Sequence, residues 1–408
     1  MKKFYQILIV IGIILFVVSC TDSGTDPVIN ENEPIAAQLQ ETVDATNEIG
    51  LEVFKSQVKE NKDDNVLISP VNVNLTLSSL LNSTSGSTKN EIKSKIKFSF
   101  QNDDELNLRI KNLIEAIKNS SSYVNFELAN SIISRDSINA ESNFKLKLEN
   151  NFGFKVFLKS IFDASTSDEI NLWFKTKTKG IFDQLIAYLD PNSNFNIYNS
   201  SVFTGDWKFK FKTDPIVKTF YNENKLNGAL FFMSIKDSTI LSTTNENYTA
   251  VDLTYANNKY AMTIFLPNDE NSLSKLISDF STSEYYQMLK NMTVKYTDLT
   301  LPKFKLNEEI DLKLQLKKLG IMKAFESNGD FTFITKIKNF FVNNIKHKTY
   351  FKIDDNGLKM SSDLSVNVDF TNQNKALKLL VNRSFFIVVR DIKTKTILYL
   401  GKVSKLYT

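Results

Sequence analysis

The chain has 408 residues, of which 42% are hydrophobic, 24% are charged and only 7 are proline. This composition is typical of a globular protein with a sizeable core and excludes a disordered chain. One cysteine and one histidine exclude an intrachain disulfide, a Cys/His zinc site and a redox pair, so we expect neither a metal nor a cofactor. Any histidine-based catalysis would have to use His347.

The first residues predict an export signal. Lys2 and Lys3 precede an apolar run from Ile7 to Val18, which is shorter than the roughly 20 residues that span a bilayer. We therefore expect residues 1–19 to be a cleavable leader. Its removal lowers the net charge from +4 to +2, because the leader carries two lysines and no acid. This balance does not indicate a nucleic-acid partner.

The leader ends in Val17-Val18-Ser19-Cys20, which resembles the lipobox of bacterial lipoproteins. In a lipobox the cysteine is lipidated and becomes the new N-terminus; the alternative is an ordinary leader that happens to end in cysteine. Because Cys20 is the only cysteine and stands at the expected place, we expect a lipid anchor in the cell envelope, at the outer membrane or the cell surface. Residues 20–37 then form a polar tether, and residues 38–408 the folded domain.

The folded part mixes helical and strand patterns without a repeat or a Pro/Gly-rich linker, which predicts one α+β domain. Apolar periodicity of about 3.6 predicts a helix from Gln38, and Ser69-Pro70 is typical of a helix start. Gly86 is expected just beyond the end of that second helix. Further strands and helices are predicted in this order: Val66–Ile68 (strand), Val124–Ile133 (strand), Tyr260–Leu266 (strand), Leu273–Leu276 (helix), Leu299–Leu306 (strand), Asp311–Leu319 (helix) and two strands within Phe385–Leu400.

Residues 358–371 (LKMSSDLSVNVDFT) differ from the other segments because they alternate in polarity over fourteen residues. Extended at about 3.3 Å per residue they would span about 46 Å, whereas typical strands have about 5–6 residues. Taken alone, the pattern favours a long antiparallel strand with one solvated face. The apolar positions are Leu358, Met360, Leu364, Val366, Val368 and Phe370, with Ser362 as the single interruption.

Five motifs resemble those of the serpins, in the family's order. The run NRSFFIVVRDIKTKTILYLGKV (Asn382–Val403) is similar to the serpin C-terminal signature, and LTLPKFKLNEEIDLKLQLKKLGIMKAF (Leu299–Phe325) to its Leu-Pro-Lys-Phe strand, helix and Leu-Gly-Ile turn. NVLISPVNVNL, NSSVFTGDW and AMTIFLPND match three further blocks. The resemblance covers the chain from about Glu48 to Thr408.

This resemblance implies a serpin fold with three β-sheets, about nine surrounding helices and an exposed reactive-centre loop at about residues 357–378. It also implies a monomeric suicide inhibitor whose partner is a serine or cysteine protease. The protease cleaves the loop and forms an acyl-enzyme, and the loop then inserts into the main sheet and distorts the protease. The alternating segment would be that loop, stored outside its sheet.

The hinge of the loop departs from the family pattern. Gly357 matches the glycine that begins the hinge, and Asp355 stands where glutamate is usual. Inhibitory members continue with small residues, whereas this chain has Leu358, Lys359 and Met360, followed by Ser361, Ser362 and Asp363. Two functions therefore stay open: a protease inhibitor, and a non-inhibitory serpin-fold lipoprotein with a binding or structural role.

The scissile bond is not fixed by the family's spacing. Counting forward from Gly357 places the recognition residue near Thr371, and counting back from Asn382 places it near Gln373. Phe370 and Asn372 complete the candidates. Phe370 would suit a chymotrypsin-like pocket.

Other family sites map by motif. The shutter beneath the main sheet is matched by Ser69, Asn72, Asn199 and His347, with Asn72 where serine is usual. The breach, where insertion begins, is matched by Trp207. The helix and turn that give way during insertion are matched by Asn171, Thr178 and Gly180.

A catalytic role for the chain itself lacks motif support. His347 lies in a β-rich run, and no Gly-x-Ser-x-Gly elbow, phosphate-binding loop or metal-ligand spacing is present in the sequence. The adjacent pair Asp354-Asp355 would point to opposite faces of a strand. Asp103-Asp104-Glu105 are expected in a solvated loop. We therefore expect an inhibitor or a binding protein rather than an enzyme.

Overall fold

The computed structural model describes residues 34–118, 121–135, 142–159, 164–187, 190, 192–223, 227–268, 273–357 and 376–406. None of the helices in these ranges has the length and apolar character needed to cross a membrane. The helices are α1 (Ala37–Glu60), α2 (Pro70–Leu81), α3 (Gly86–Lys93), α4 (Asp103–Ile117), α5 (Ser142–Phe152), α6 (Ala164–Lys177), α7 (Leu273–Asp279), α8 (Thr282–Asn291) and α9 (Leu312–Lys318), with a 3₁₀ turn at Lys323–Phe325.

The same ranges contain fourteen strands. They are β1 (Val66–Ile68), β2 (Val124–Arg135), β3 (Lys155–Lys159), β4 (Phe195–Gly205), β5 (Lys212–Tyr221), β6 (Asn227–Thr244), β7 (Tyr248–Thr254), β8 (Tyr260–Pro267), β9 (Thr293–Pro302), β10 (Phe304–Asp311), β11 (Val342–Ile353), β12 (Leu377–Leu380), β13 (Phe385–Asp391) and β14 (Ile397–Val403).

Nine of these strands form the large sheet, in the order β1-β14-β13-β8-β7-β6-β9-β12, with β5 paired to β6. β6 joins two parts of this sheet: its first half pairs with β5, and its last residues, Leu241–Thr244, pair with β7. A shift of register against β9 between Ile235 and Ser238 marks the junction. The serpin fold is therefore confirmed, with two of its three sheets continuous through β6.

The remaining five strands form the small sheet, in the order β10-β11-β4-β2-β3. Its central pair, β11 and β4, is parallel and runs from Val342 opposite Phe195 to Phe351 opposite Phe203. β4 is antiparallel to β2, and β10 is antiparallel to β11.

α2 lies in the core and packs against β14 of the large sheet and β4 of the small sheet. All of its residues are buried, including the polar ones, because the helix has protein on every side. Ser69 caps the helix by accepting a hydrogen bond from the Asn72 N–H, and Pro70 occupies the first turn, as the sequence predicts. Gly50 lets α1 approach, since a Cβ there would overlap the Pro70 ring.

The outer face of the small sheet carries a separate apolar cluster beneath α6. It joins side chains of β2, β3, β4 and α6 to the segment that follows the helix. The buried members are Ala129, Ile133, Phe157, Ile170, Phe174, Leu185, Ile186 and Tyr198.

Two local expectations are wrong. Gly86 does not follow the end of α2 but opens α3 at φ +53°, in the left-handed region that favours glycine. Asp103-Asp104-Glu105 form not a solvated loop but the first turn of α4, where negative charge favours a helix start. Each of the three pairs with a cation: Lys89, Lys147 and Arg109 respectively.

Candidate functional site

Three buried polar residues form one row across the middle of the small sheet. His347 on β11 lies opposite Asn199 on β4, and Asn199 lies opposite Asn130 on β2. All three are at most 1% exposed. Because directly opposed residues in a sheet point to the same face, the row forms one polar surface above the start of α2.

His347 is held by the helix cap. Its Nε2 accepts a hydrogen bond from the backbone N–H of Ser69 at 3.1 Å, so Nε2 carries no proton and the neutral ring is protonated at Nδ1. Burial disfavours the charged ring and lowers the pKa of His347 to about 3. With Nε2 engaged by a backbone N–H, the ring cannot act as general base toward a serine hydroxyl in this arrangement.

The two asparagines of the row are also tied to α2. The Asn130 amide donates to Asn72 Oδ1 at 3.0 Å, and the Asn199 amide donates to Thr76 Oγ1. The carboxamide of Asn72 therefore links the helix to β2, a contact that the shorter side chain of serine would not reach. Separating β4 from β11 would disturb this network.

The network is not fully satisfied within the described residues. The buried Asn72 Nδ2, Asn199 Oδ1 and His347 Nδ1 have no hydrogen-bond partner there. Buried polar atoms without hydrogen-bond partners cost free energy.

The motif matches predict four shutter residues, Ser69, Asn72, Asn199 and His347, and the structure adds three further polar residues to the same region. Thr76 and Asn130 complete the network, and Thr349 Oγ1 donates to the Leu67 carbonyl at 3.2 Å. The sequence does carry a signal for these three residues, because each is a polar residue at a buried position of a predicted helix or strand.

Trp207 lies at the end of the small sheet, two residues beyond the end of β4. The indole is 2% exposed and stacks on Tyr255, with ring centroids 4.4 Å apart. Its Nε1 donates to the Asp354 carbonyl at 2.8 Å, and its backbone N–H donates to the Asn356 carbonyl at 3.0 Å. Trp207 thus fastens the chain directly after β11.

Gly357 forms a parallel bridge with Trp207, and no larger residue fits there. A Cβ on Gly357 would lie 2.7 Å from Lys210 Cα and 3.0 Å from the Trp207 carbonyl oxygen. The absence of a side chain is therefore required by close backbone approach.

Asp354 and Asp355 follow the end of β11 at Ile353, so the expectation that they are adjacent residues of a strand is wrong, and the two carboxylates pair with different lysines. Asp354 pairs with Lys352, and Asp355 pairs with Lys303, each at 2.8 Å. Partial burial is the largest single influence on Asp355 and raises the pKa of the carboxyl, but the hydrogen bond from Lys303, a backbone hydrogen bond and the charges of Lys303 and Lys210 together lower that pKa below its usual value. The Lys303 pair connects the hinge to the end of β9.

α6 is fastened to the segment that follows it. Asn171 Oδ1 accepts the backbone N–H groups of Leu185 and Ile186 at 3.0 Å each, and its Nδ2 donates to the Ile186 carbonyl at 2.9 Å. Thr178 donates to the Phe174 carbonyl, and Gly180 at φ +78° ends the helix. These three residues therefore hold α6 and the segment that follows it in place on the outer face of the small sheet.

The other proposed positions lie outside the described residues. They are the lipidation site Cys20, the hinge residues Leu358 and Met360, and the reactive-bond candidates Phe370, Thr371, Asn372 and Gln373. Of the hinge, the structure places Asp355 and Gly357.

Comparison with known proteins agrees with this architecture. The family described as serpin (serine protease inhibitor) matches residues 44–406. Mouse glia-derived nexin is 27% identical over 370 residues, which cover 87% of this chain and 91% of the nexin.

Two solved structures share the fold. Native protease nexin-1 with heparin has a TM-score of 0.81 and 24% identity, covering 90% of this chain and 100% of that one. Human thyroxine-binding globulin has a TM-score of 0.81 and 21% identity, covering 91% and 100% respectively. The chain belongs to the serpin family.

Proposed function

We propose that this chain inhibits serine or cysteine endopeptidases as a suicide substrate. Serpins are mostly protease inhibitors rather than enzymes. The observation that carries the proposal is the direct parallel pairing of β4 with β11, with Gly357 placed at the end of that pair. A segment that reversed direction after Gly357 and entered between them would run antiparallel to both.

The small sheet carries Asn199 and His347 and is therefore the sheet that the family resemblance describes as the main sheet. Insertion would improve its backbone pairing. One parallel ladder, Val342–Phe351 against Phe195–Phe203, would be replaced by two antiparallel ladders. Antiparallel pairing is slightly more stable per residue, and a second ladder adds hydrogen bonds. The sheet therefore supplies a driving force for insertion, which cleavage makes accessible because it separates the segment from β12.

The alternating segment has the length that insertion needs. Residues 358–371 would extend to about 46 Å, whereas β4, with 11 residues, extends to about 36 Å at about 3.3 Å per residue. Its period of two would direct one apolar side into the core.

In the proposed mechanism a protease attacks the carbonyl carbon of Phe370, Thr371, Asn372 or Gln373. The peptide bond breaks, the amine fragment leaves, and the carbonyl carbon stays esterified to the catalytic serine or cysteine. Insertion of the segment after Gly357 then carries the protease along the sheet before water can release it. In this mechanism the chain supplies the segment that is cut, the hinge at Gly357 and the position between β4 and β11 that receives the segment.

The experiment mixes the purified mature chain with trypsin, chymotrypsin, elastase, subtilisin and papain and separates the products on denaturing gels. A covalent complex stable in SDS supports the mechanism. Cleavage without any complex, across the whole panel, rejects it. Mass spectrometry of the released fragment identifies the scissile bond.

A non-inhibitory function is the second candidate, favoured by the hinge composition. Leu358, Lys359 and Met360 stand where inhibitory members carry small residues. One structural neighbour is named for binding thyroxine. Melting temperatures separate the two functions: a nicked chain that inserts its loop melts higher, and a nicked chain that does not insert keeps its melting temperature.

We also propose that the inhibitor is monomeric, exported and anchored through lipidated Cys20, with the tether of residues 20–37 ahead of the domain. Its support is the position of Cys20 directly after an apolar leader. Metabolic labelling with a radioactive fatty acid tests it. Cys20→Ala should abolish labelling, while Thr21→Ala keeps it; labelling of the Cys20→Ala protein would contradict the anchor.

A further inference from the structure

Positive charge is concentrated in the segment that runs from the start of α9 to the loop before β11. Residues 311–340 hold six lysines and three acids, a net charge of +3, whereas the mature chain as a whole has +2 and its other residues therefore sum to −1. Two of the three acids accept local hydrogen bonds: Asp311 from the Leu314 N–H, and Asp330 from the N–H and hydroxyl of Thr332. The lysines of this segment thus dominate its charge.

The end of α3 lies against the same segment. Glu91 of α3 accepts the backbone N–H groups of Met322 and Lys323 at 2.9 Å each. The Lys95 ammonium lies beside Gly320, where a Cβ would be 3.6 Å from Lys95 Nζ. Five lysines of this end form no ion pair with a carboxylate of the described ranges, and we call them the lysine face: Lys95, Lys317, Lys323, Lys336 and Lys338.

Exposed apolar side chains stand among these lysines. Leu314, Met322 and Ile337 are 45%, 41% and 43% exposed. Leu314 lies three residues before Lys317 on one side of α9, and Ile337 lies between two lysines of the lysine face. Lysines that can reach phosphate headgroups, with apolar side chains between them, are typical of a surface that contacts a bilayer.

The lysine face lies at the end of the fold opposite the hinge. The Lys313 ammonium donates to the Asn343 carbonyl at 2.7 Å, so α9 adjoins the start of β11. Trp207 and Gly357 form their bridge beyond the other end of β11, whose 12 residues span about 40 Å. A bilayer against the lysine face would therefore leave the start of the alternating segment about 40 Å from the lipid headgroups.

The tether is long enough to bring the lipid anchor to the same bilayer. The Gln315 amide donates to Gln57 and Glu60, so the last turn of α1 lies beside α9. The first turn of α1 is 24 residues away, or about 36 Å. Residues 21–34 can reach about 46 Å when extended. They carry four acids and no basic residue, so the tether itself is not attracted to anionic lipid.

We propose that the lysine face docks the domain on the anionic lipid surface that holds the anchor, and that this contact keeps the bait directed away from the bilayer. The inference rests on the lipid anchor proposed at Cys20. A second copy of the chain fits less well, because two lysine faces repel each other. A nucleic acid offers phosphates but no apolar interior for Leu314, Met322 and Ile337.

The test uses the mature chain with Cys20→Ala, so that binding does not depend on the lipid. This protein should sediment with phosphatidylcholine vesicles that contain about a third phosphatidylglycerol, and not with vesicles of phosphatidylcholine alone. Binding should weaken as salt is added, because ions screen the attraction between lysines and headgroups.

Two triple variants of the same charge separate the lysine face from net charge. Lys317→Gln/Lys323→Gln/Lys336→Gln should bind the anionic vesicles about a hundredfold more weakly, since each lysine near such a surface contributes about fivefold. The matched control, Lys208→Gln/Lys210→Gln/Lys212→Gln, removes three lysines beside Trp207 and should stay within about threefold of the unsubstituted chain. Equal weakening in the two variants overturns the lysine face.

The orientation is measured with a single fluorophore. Cys20 is the only cysteine, so Cys20→Ala gives a background in which one new cysteine can be labelled with a polarity-sensitive dye. Dye on Met322→Cys should shift to shorter wavelength on anionic vesicles. Dye on Phe209→Cys should not, although Phe209 is 44% exposed, because it lies two residues beyond Trp207 at the other end of the sheet. Equal shifts at both positions overturn the proposed orientation.

The remaining outcomes separate docking from the anchor. Failure of the Cys20→Ala chain to bind anionic vesicles overturns the lysine face, whether or not the wild type is labelled with fatty acid. Vesicle binding by a wild type that takes up no fatty acid supports the lysine face and rejects the anchor. Tighter binding to heparin or single-stranded DNA than to vesicles, lost in the Lys317→Gln/Lys323→Gln/Lys336→Gln variant, overturns the assignment to lipid.

Discussion

His347 and Asn199 lie directly opposite each other on β11 and β4, and each is fastened to α2 from the same side. His347 accepts the Ser69 N–H, and Asn199 donates to Thr76. These two residues therefore sit on either side of the line along which a new strand would enter. Groups that hold the closed sheet together are concentrated at that line.

Neutral His347 should make the closed sheet sensitive to acid. Its pKa is about 3 in the fold because of burial, and about 6.5 in an unfolded chain. A histidine whose pKa is lowered in the fold raises the free energy of unfolding. This contribution is complete above pH 6.5 and is lost as pH falls toward 3, because in that range only the unfolded chain gains the proton. At pH 4.5 the loss should be about 3 kcal/mol.

Urea unfolding at pH 7 and pH 4.5 measures this loss. His347→Gln keeps an acceptor for the Ser69 N–H and removes the titration, so it should lose about 3 kcal/mol less than the wild type over the same interval. Carboxylate titrations are common to both proteins and cancel. Equal losses in the two proteins would show that His347 is not the acid-sensitive group.

Glu308 should act in the opposite direction. Partial burial, and then the negative charge of Asp64, raise the pKa of this carboxyl to about 7. A raised carboxyl pKa stabilises the fold at low pH and loses that contribution as pH rises to 7. Glu308→Gln should therefore stabilise the protein at pH 8 by about 1–2 kcal/mol, after allowance for partial exposure, and have little effect at pH 4.5.

The neighbouring Glu309→Gln is its control. Glu309 pairs with Lys346 on the exposed surface, and such pairs contribute about 0–1 kcal/mol. A stabilisation at pH 8 that is equal in the two variants would assign the effect to net charge rather than to burial of Glu308.

Loss of the Asp355–Lys303 pair should ease entry of a strand. The pair is partly buried, with side chains 18% and 31% exposed, and it connects the hinge to β9. Asp355→Asn should therefore speed incorporation of a synthetic peptide of residues 358–371 about two- to fivefold, the equivalent of about 0.5–1 kcal/mol. Native gels that follow the peptide complex supply the rate.

Glu309→Gln again serves as control, because its pair joins β10 to β11 at the same 2.8 Å but away from the hinge. If both variants accelerate peptide uptake equally, general loosening of the small sheet explains the effect. If neither does, the hinge pair does not restrain opening.

The sequence predicted elements whose pattern has a single period. α1, α2 and β8 each present one regular apolar face or a fully buried run, and their bounds lie within a few residues of expectation. β6 was not predicted, because it serves two parts of the large sheet and its register shifts at the junction. A strand whose two halves have different neighbours has no uniform alternation to detect.

The hydrogen-bond network between the small sheet and α2 was only partly predictable for a different reason. Asn130 and Asn72 are 58 residues apart, and Asn199 and Thr76 are 123 apart. Family motifs identify single positions, whereas a hydrogen bond depends on two segments meeting in one register. The polar character of Thr76 and Asn130 at predicted buried positions is visible in the sequence, whereas their hydrogen-bond partners are seen only in the folded arrangement of β2, β4 and α2.

Small hinge residues should improve inhibition. Leu358 and Met360 stand where inhibitory members of the family carry small residues, and large side chains at these positions are expected to slow entry of the segment. Leu358→Thr/Met360→Ala should speed insertion relative to release of the protease. The number of inhibitor molecules consumed per protease, measured by titration, should then fall toward equimolar.

Ser361→Ala is the control for that titration, because it changes a residue that is already small. A double variant that consumes as many molecules as the wild type would mean that the hinge side chains do not limit insertion.

The two tryptophans should report insertion directly. Trp207 bridges Gly357 at the end of the small sheet, and Trp173 lies on α6, edge-on to Phe157 of β3 with ring centroids 5.7 Å apart. Entry of a strand should change the surroundings of Trp207 and shift α6, the helix that carries Trp173. Trp173→Phe leaves Trp207 as the single tryptophan. Trp207→Phe leaves Trp173, and it costs about 1 kcal/mol of stability because the hydrogen bond to the Asp354 carbonyl is lost.

After nicking of the loop, fluorescence emission from both single-tryptophan proteins should change at the same rate, since one event moves both sites. A spectrum that stays constant for Trp207 while the loop is cut would show that the strand does not enter at this end of the sheet.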